Sequence, residues 1–439
     1  LIMKNKKFIT FGFISMGLSI SLLLNSSLFA QATQENNETS RLQSLAKFTK
    51  VISIVEKYNV DDVNIEELMD KALDGMMKNL DAHSNYLTQK DYKRLKVQTA
   101  GEFGGLGITV GMKNGALTVI APIDGTPADK AGLKSGDIIL KINEMSTIGM
   151  TIDEAVSLMR GKVGAPINVT IVRKGELKPI LVHIIRGIIT IESVHSRTIS
   201  DDTLYIRVAS FDQKVATDVK KEFQKKKKST KGIILDLRNN PGGLLDQAVA
   251  LVDLFVSSGD IVSQKGRNAS DDKVYSAGYT STMTDIPLVV LINGGSASAS
   301  EIVSGALQDQ KRAILVGENT FGKGSVQVVL PITDDEAIKL TIARYYLPSG
   351  RTIQAVGVKP DIKVAPGEVK TLKNEFPIKE ADLKKHLTQE LEKVDGKKQK
   401  TKEDKDTNKD IITLEMLNKD IQLKSAVDIL KALIITQGK

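Results

Sequence analysis

Apolar positions change their spacing twice along the chain, and each change marks a new kind of structure. Leu42, Leu45, Phe48, Val51, Ile52 and Val55, then Ile65, Leu68, Met69, Ala72, Leu73, Met76, Met77 and Leu80, recur at helical spacing. They predict two amphipathic helices in a helical region over residues 37–99. From Gly101 the pattern shifts to short strands and glycine turns. Strands are expected at Gly107 to Gly111, Ala116 to Ala121, Asp137 to Ile142, Pro166 to Arg173 and Ile180 to Ile185, with a short helix from Ala128 to Leu133. Thr151-Ile152-Asp153-Glu154 has the form of a capping box and predicts a second helix in this module, which spans 101–187.

A third pattern follows. Gly232 to Leu237, Pro287 to Ile292 and Ala313 to Val316 are unbroken apolar runs, as strands buried on both faces require. Helices are expected between them at Leu244 to Phe255 and Ala299 to Leu307, so residues 188–366 read as an α/β core. Beyond it, residues 367–439 are lysine-rich and end in one amphipathic helix carrying Leu414, Leu417, Ile421, Val427, Leu430 and Leu433. The fold class is therefore multidomain α/β with helical regions at both ends.

With 439 residues, two or three domains are expected, and 41% hydrophobic with 26% charged residues suits a globular chain. Much of the +8 net charge sits in two lysine runs, Lys225 to Lys228 and Lys384 to Lys409, which read as a solvated face and a tail. No basic stripe is interleaved with aromatics, so no nucleic-acid partner is expected. Absence of cysteine excludes a disulfide framework and a thiol nucleophile. Lys4, Lys6 and Lys7 precede an apolar stretch from Phe8 to Leu24, and Ala30-Gln31-Ala32 fits a small-x-small cleavage site. Residues 1–32 thus predict an export signal, with a retained membrane anchor as the alternative.

Candidate chemistry lies in three segments of the α/β core. Asn293-Gly294-Gly295-Ser296-Ala297-Ser298-Ala299-Ser300-Glu301 follows a buried strand and opens a helix. It sets Ser298 at a sharp turn beside unpaired helix-start N–H groups able to bind an oxyanion. An ordinary capping box between Ser298 and Glu301 is the alternative. His83, His183, His195 and His386 have no pattern that would make one of them its base, and no His-Glu-x-x-His or paired carboxylate cluster suggests a metal. Phe321-Gly322-Lys323-Gly324-Ser325-Val326-Gln327 offers a lysine instead, usable as a base if burial disfavours its charged form. Strand alternation would turn positions 323, 325 and 327 to one face, letting Gln327 orient the amine; a solvated lysine is the alternative. Asp236-Leu237-Arg238-Asn239-Asn240-Pro241-Gly242-Gly243 ends the first buried strand, where sites form in open α/β folds, or is merely a tight turn.

Together these segments resemble the carboxyl-terminal processing peptidases, the serine-lysine tail-specific (S41) protease family, over roughly residues 40–365. Residues 101–187 look like the family's PDZ domain, and Leu80-Asp81-Ala82-His83-Ser84 like its pre-PDZ turn, with Ala82 where the family often has proline. The resemblance implies a crotonase/ClpP-like α/β protease core with an inserted PDZ domain, needing no metal or other cofactor. It implies Ser298 as nucleophile, Lys323 as base, Gln327 as the residue positioning it, and an oxyanion hole from the N–H of Ala299 and of Gly243 or Gly242. Gly105-Leu106-Gly107-Ile108 would grip the C-terminus of an apolar protein tail, and the family's cleavage runs through an acyl-enzyme. Expected partners are protein or peptide substrates with apolar C-termini, an adaptor protein and further copies of the chain; the expected place is periplasmic or otherwise extracytoplasmic. A PDZ scaffold that no longer cuts is the alternative, and a hydratase-type enzyme of related architecture a second.

Overall fold

The computed structural model describes residues 39–200, 202–369 and 410–437. The expected export signal, the Lys384 to Lys409 run and His386 lie outside the described residues. Two compact units are present, Leu1–Tyr86 and Leu87–Lys439.

In the first unit, one helix covers residues 39–58 and a second runs over Ile65–Lys78. Asn64 caps the second, its side chain accepting from the N–H of Glu66 and Glu67. The Asp81 carboxylate then accepts from the N–H of His83 and Ser84 and from the Ser84 hydroxyl, closing the turn that follows.

The second unit opens with a helix, Gln89–Ala100, that the apolar pattern did not predict. Its sequence is mostly polar and carries no continuous apolar stripe, so periodicity had nothing to detect. Gly101 ends it in the left-handed conformation (φ 67°).

A β-rich module follows. Strands Ile108–Lys113, Ala116–Pro122, Ile138–Ile142, Pro166–Val172 and Ile180–Ile185 form one antiparallel sheet in that order. Helix Ile152–Met159 carries the anticipated capping box between Thr151 and Glu154. Leu117, Val119, Ile139, Ile167 and Val169 pack with Ala155 and Met159 in a core of their own. Strand Ile108–Lys113 pairs on one side only, so the sheet has an open edge there.

The main sheet has six strands in the order Val194–Ile199, Thr203–Val208, Gly232–Asp236, Leu288–Ile292, Ile314–Gly317 and Ile362–Lys363. Only the first pair is antiparallel. Gly232–Asp236 and Leu288–Ile292 are buried at every position, which explains why their sequences lack polar alternation. On one face, Ile233, Leu235, Val290 and Ile292 pack against helices Val215–Lys226, Leu245–Asp253 and Ala299–Asp309. On the other, Ile234, Val289, Leu291 and Val316 pack against Leu423, Ala426, Val427 and Leu430.

Those last residues belong to the C-terminal segment, where one helix was expected and, among the described residues, two are found. Leu414–Asn418 and Ile421–Gln437 are separated at Lys419 and Asp420. The break has a local cause: the Asp420 side chain accepts from the Leu423 N–H at 3.0 Å, capping the second helix as a new start.

Candidate active site

The first parallel strands of the sheet end at one rim, and three turns meet there. Leu288–Ile292 delivers the turn that carries Ser298 at the start of helix Ala299–Asp309. Ser298 adopts φ 54°, ψ −112°, a conformation that costs a non-glycine residue about 1–3 kcal/mol and persists only where surroundings enforce it. Ala299 is the first helical residue, so its N–H is among those a helix start leaves without an intrahelical partner.

Glu301 supplies part of the enforcement. It is fully buried, and its carboxylate accepts four hydrogen bonds. Oε2 takes the N–H of Ser298 and of Lys323, both at 2.8 Å. Oε1 takes the Thr320 hydroxyl and the Gly322 N–H, both at 2.6 Å. The reach of Glu301 back to Ser298 is the capping-box arm considered from the sequence. The additional bonds to residues 320–323 were not legible, because they join segments with no local pattern in common.

Strand Gly232–Asp236 delivers the glycine turn. Phe211 and Gly243 form a parallel bridge, made by Phe211 N–H to Gly242 O at 3.0 Å and Leu244 N–H to Phe211 O at 2.8 Å. The N–H of Gly243 has no part in that bridge. The N–H of Gly242, in contrast, is engaged by Asn240 Oδ1 at 2.9 Å. Of the two glycines named as oxyanion donors, Gly242 is therefore committed elsewhere and Gly243 is the one with an N–H to offer. Gly242 still abuts the nucleophile candidate: a Cβ on it would lie 2.9 Å from Ser298 Cβ. A Cβ on Gly243 (φ 149°) would lie 2.2 Å from Phe211 O, so neither position accepts a side chain.

Lys323 and Gln327 lie on the remaining wall. Gln327 donates through Nε2 to Ser325 Oγ at 2.9 Å and to Thr341 Oγ1 at 3.2 Å, which leaves Oε1 as the atom that can accept from an amine. Ser298, Lys323, Gln327, Gly242 and Gly243 all line one cleft of about 970 Å³. Leu244, Leu245, Tyr275, Val329 and Tyr345 give it an apolar side, and Tyr92, Leu95 and Thr99 of helix Gln89–Ala100 line it as well. His83, His183 and His195 do not line it. Among the described residues, no cluster of His, Asp or Glu could hold a metal ion.

In the β-rich module, Leu106 is buried, and its carbonyl accepts from the Ala128 N–H at 2.8 Å. The Gly107 carbonyl accepts from the Ile123 N–H at 2.8 Å. Both carbonyls thus turn toward residues 123–128. Because a trans peptide points its N–H opposite its carbonyl, the N–H groups of Gly107 and Ile108 face away from that segment. They are presented beside the open strand edge of Ile108–Lys113. Gly105 lies earlier, in the strand Glu102–Gly105 that pairs with Gly187–Thr190.

Residues 202–364 match Peptidase family S41, 118–173 the PDZ domain, and 13–91 the Activating protease CtpB N-terminal domain. The chain is 42% identical to a carboxy-terminal-processing protease of Bartonella bacilliformis, over 86% of this chain and 88% of the relative. It is 35% identical to the carboxy-terminal processing protease CtpA of Bacillus subtilis, over 80% and 74% of the respective chains. Among solved structures, a photosystem II D1 C-terminal processing protease is 28% identical, covering 72% of this chain and 92% of its own, with a TM-score of 0.41.

Proposed function

This chain belongs to the carboxy-terminal-processing serine proteases of peptidase family S41, with a PDZ domain, and on that premise we propose that it cleaves proteins with apolar C-terminal tails through a Ser298–Lys323 dyad. The observation that carries the proposal is the buried Glu301 carboxylate, one oxygen of which ties together the main chains of Ser298 and Lys323, two residues that line the same cleft.

In the proposed reaction, Ser298 Oγ attacks the scissile carbonyl carbon while its proton passes to the neutral Lys323 amine. The N–H groups of Ala299 and Gly243 take the charge that develops on the carbonyl oxygen. Lys323, now an ammonium, gives its proton to the departing amine, leaving an ester on Ser298. Water then attacks that ester, losing its proton to Lys323, and the released Ser298 oxygen takes the proton back. Gln327 Oε1 holds the lysine amine toward the serine throughout.

We assign tail recognition to Gly105, Leu106, Gly107 and Ile108, with the substrate adding a strand to Ile108–Lys113 and its carboxylate meeting the Gly107 and Ile108 N–H groups. The basic and apolar order of residues 4–24 supports export to a periplasmic or other extracytoplasmic site. Exposed Leu42, Leu45 and Phe48 on helix 39–58 support self-association of the chain. Binding of a tail at the PDZ domain gates the protease, and an adaptor is the expected source of additional substrate choice.

The test is cleavage of one unfolded protein carrying either an apolar or a charged C-terminal tail. Faster cutting of the apolar form, lost in Ser298→Ala while tail binding is kept, is the expected result. Equal rates on both tails would overturn the assignment of specificity, and cleavage by Ser298→Ala would overturn the site.

A further inference from the structure

The C-terminal segment, residues 410–437, lies beyond the region that matches Peptidase family S41, yet it is built into the main sheet. Thr198 bonds it on both sides, its N–H to Asp410 O and its carbonyl to the Ile412 N–H, each at 2.9 Å. Its longer helix then packs on one face of the sheet, over strands Gly232–Asp236, Leu288–Ile292 and Ile314–Gly317.

At the start of that helix, Asp420 makes a two-point contact with Arg238. The guanidinium donates to Asp420 Oδ1 at 2.9 Å and Oδ2 at 2.8 Å, the fork geometry that fixes an arginine most firmly. Arg238 also donates to Gln422 Oε1 at 3.1 Å, and Gln422 donates onward to Val364 O at 2.8 Å. On its other side Arg238 is held by Asp236, which is fully buried at the strand end and accepts from the Tyr205 hydroxyl at 2.8 Å.

Arg238 opens the turn that ends at Gly243. After it, Asn239 takes φ 57° with its N–H on Asn293 Oδ1 at 2.8 Å, and buried Asn240 is tied to Val208 O at 2.8 Å. Exposed Asn239 and buried Asn240 are thus each tied to a neighbouring strand end. At Arg238 itself, Asp236 Oδ1 accepts the main-chain N–H at 2.9 Å, and the guanidinium lies between that same carboxylate and Asp420, the second of the two carboxylates that hold it.

We propose that Asp420, acting through Arg238, is a positioning residue for the protease reaction, fixing the Asn239–Gly243 turn so that the Gly243 N–H meets the developing oxyanion. This rests on the assignment of Gly243 and Ser298 above. Asp420 touches no reacting atom; it sets the geometry of the turn that does.

The experiment compares full-length wild type, Asp420→Asn, Asp420→Ala, Arg238→Ala and the Asp420→Ala/Arg238→Ala pair on one peptide substrate. Ser298→Ala is the control, and a peptide boronate, which forms a tetrahedral adduct on a catalytic serine, is the probe of the oxyanion site. Asp420→Ala should lower kcat by about tenfold to a hundredfold, below the loss typical of deleting an oxyanion donor outright. Boronate affinity should fall in parallel, while KM stays within about twofold. Asp420→Asn, which keeps an acceptor and a helix cap, should fall in between and remain folded. In the Arg238→Ala background, Asp420→Ala should cost nothing further in kcat, as expected of two residues acting as one unit. A lowered melting temperature with unchanged kcat and boronate affinity would overturn the proposal. So would independent, multiplying effects of the two substitutions. If Ser298→Ala still cleaved, the site assignment itself would fail and the positioning role with it.

Discussion

The carboxylate of Glu301 holds the main-chain N–H of Lys323 at 2.8 Å, with the same oxygen that holds the N–H of Ser298. One buried acid thereby fixes the distance between two segments, each carrying one half of the proposed dyad. Its four donors leave no room for a donor in its place. In Glu301→Gln, either amide orientation turns an NH2 toward a backbone N–H, that of Gly322 or those of Ser298 and Lys323. Stability is expected to fall by about 2–4 kcal/mol, the range for stranding buried donors and losing bonds to a charge. Cleavage should fall by about a hundredfold or more. Thermal melting and kcat/KM together check this; a variant as active as wild type would contradict it.

The glycine turn gives a steric prediction. Gly243→Ala would put a methyl 2.2 Å from Phe211 O, and Gly242→Ala would put one 2.9 Å from Ser298 Cβ. Both should lose activity by about a hundredfold or more, the first by displacing its own N–H and the second by displacing the serine. Rates of peptide hydrolysis on folded protein, verified by circular dichroism, decide it.

Acid should loosen the C-terminal helix. Burial, the largest single effect, would raise the pKa of Asp420, but the hydrogen bonds from Arg238 and from the Leu423 and Gln422 main chains, together with the Arg238 charge, outweigh it and hold the group below its ordinary value. A depressed carboxylate pKa means the unfolded chain takes up the proton first. The stability it contributes is therefore full above the ordinary carboxylate range, near about 4, and is lost as pH falls through the lower folded-state value. The melting-temperature gap between wild type and Asp420→Asn should accordingly be widest near neutral pH and narrow between about pH 5 and 3. A gap independent of pH over that window would show that the ion pair contributes nothing.

The tail-binding loop is tested at Gly107. Its φ of 78° and a methyl 2.3 Å from Thr126 Cβ make Gly107→Ala a local distortion of the presented N–H groups. KM for an apolar-tailed protein should rise about tenfold or more, the loss of one charge-assisted contact, while a short untailed peptide is cut as by wild type. An unchanged preference for the apolar tail would remove the loop from recognition.

How far these features were legible depends on the range of the interaction behind them. Buried strands such as Leu288–Ile292 advertise themselves by composition, and the Thr151–Glu154 cap by a spacing of three. The membership of Ser298, Lys323 and Gly243 in one cleft followed from motif order and resemblance. Helix Gln89–Ala100 was invisible because its polar sequence has no apolar period. Asp420 was hidden for another reason: its partner Arg238 is distant in sequence, and their contact exists only once the C-terminal helix lies on the sheet. Glu301 was seen only as a cap, since its bonds to residues 320–323 depend on tertiary placement.

The central claim is that Ser298 is acylated with Lys323 as its base. The most direct measurement is reaction of wild type, Lys323→Ala and Glu301→Gln with a fluorophosphonate, followed by peptide mass mapping and the rate of labelling. The account predicts a single adduct on Ser298 in wild type, with labelling slowed by about a hundredfold or more in Lys323→Ala, within the range by which a positioned base accelerates attack. An adduct on another residue, or labelling of Lys323→Ala at the wild-type rate, would contradict it.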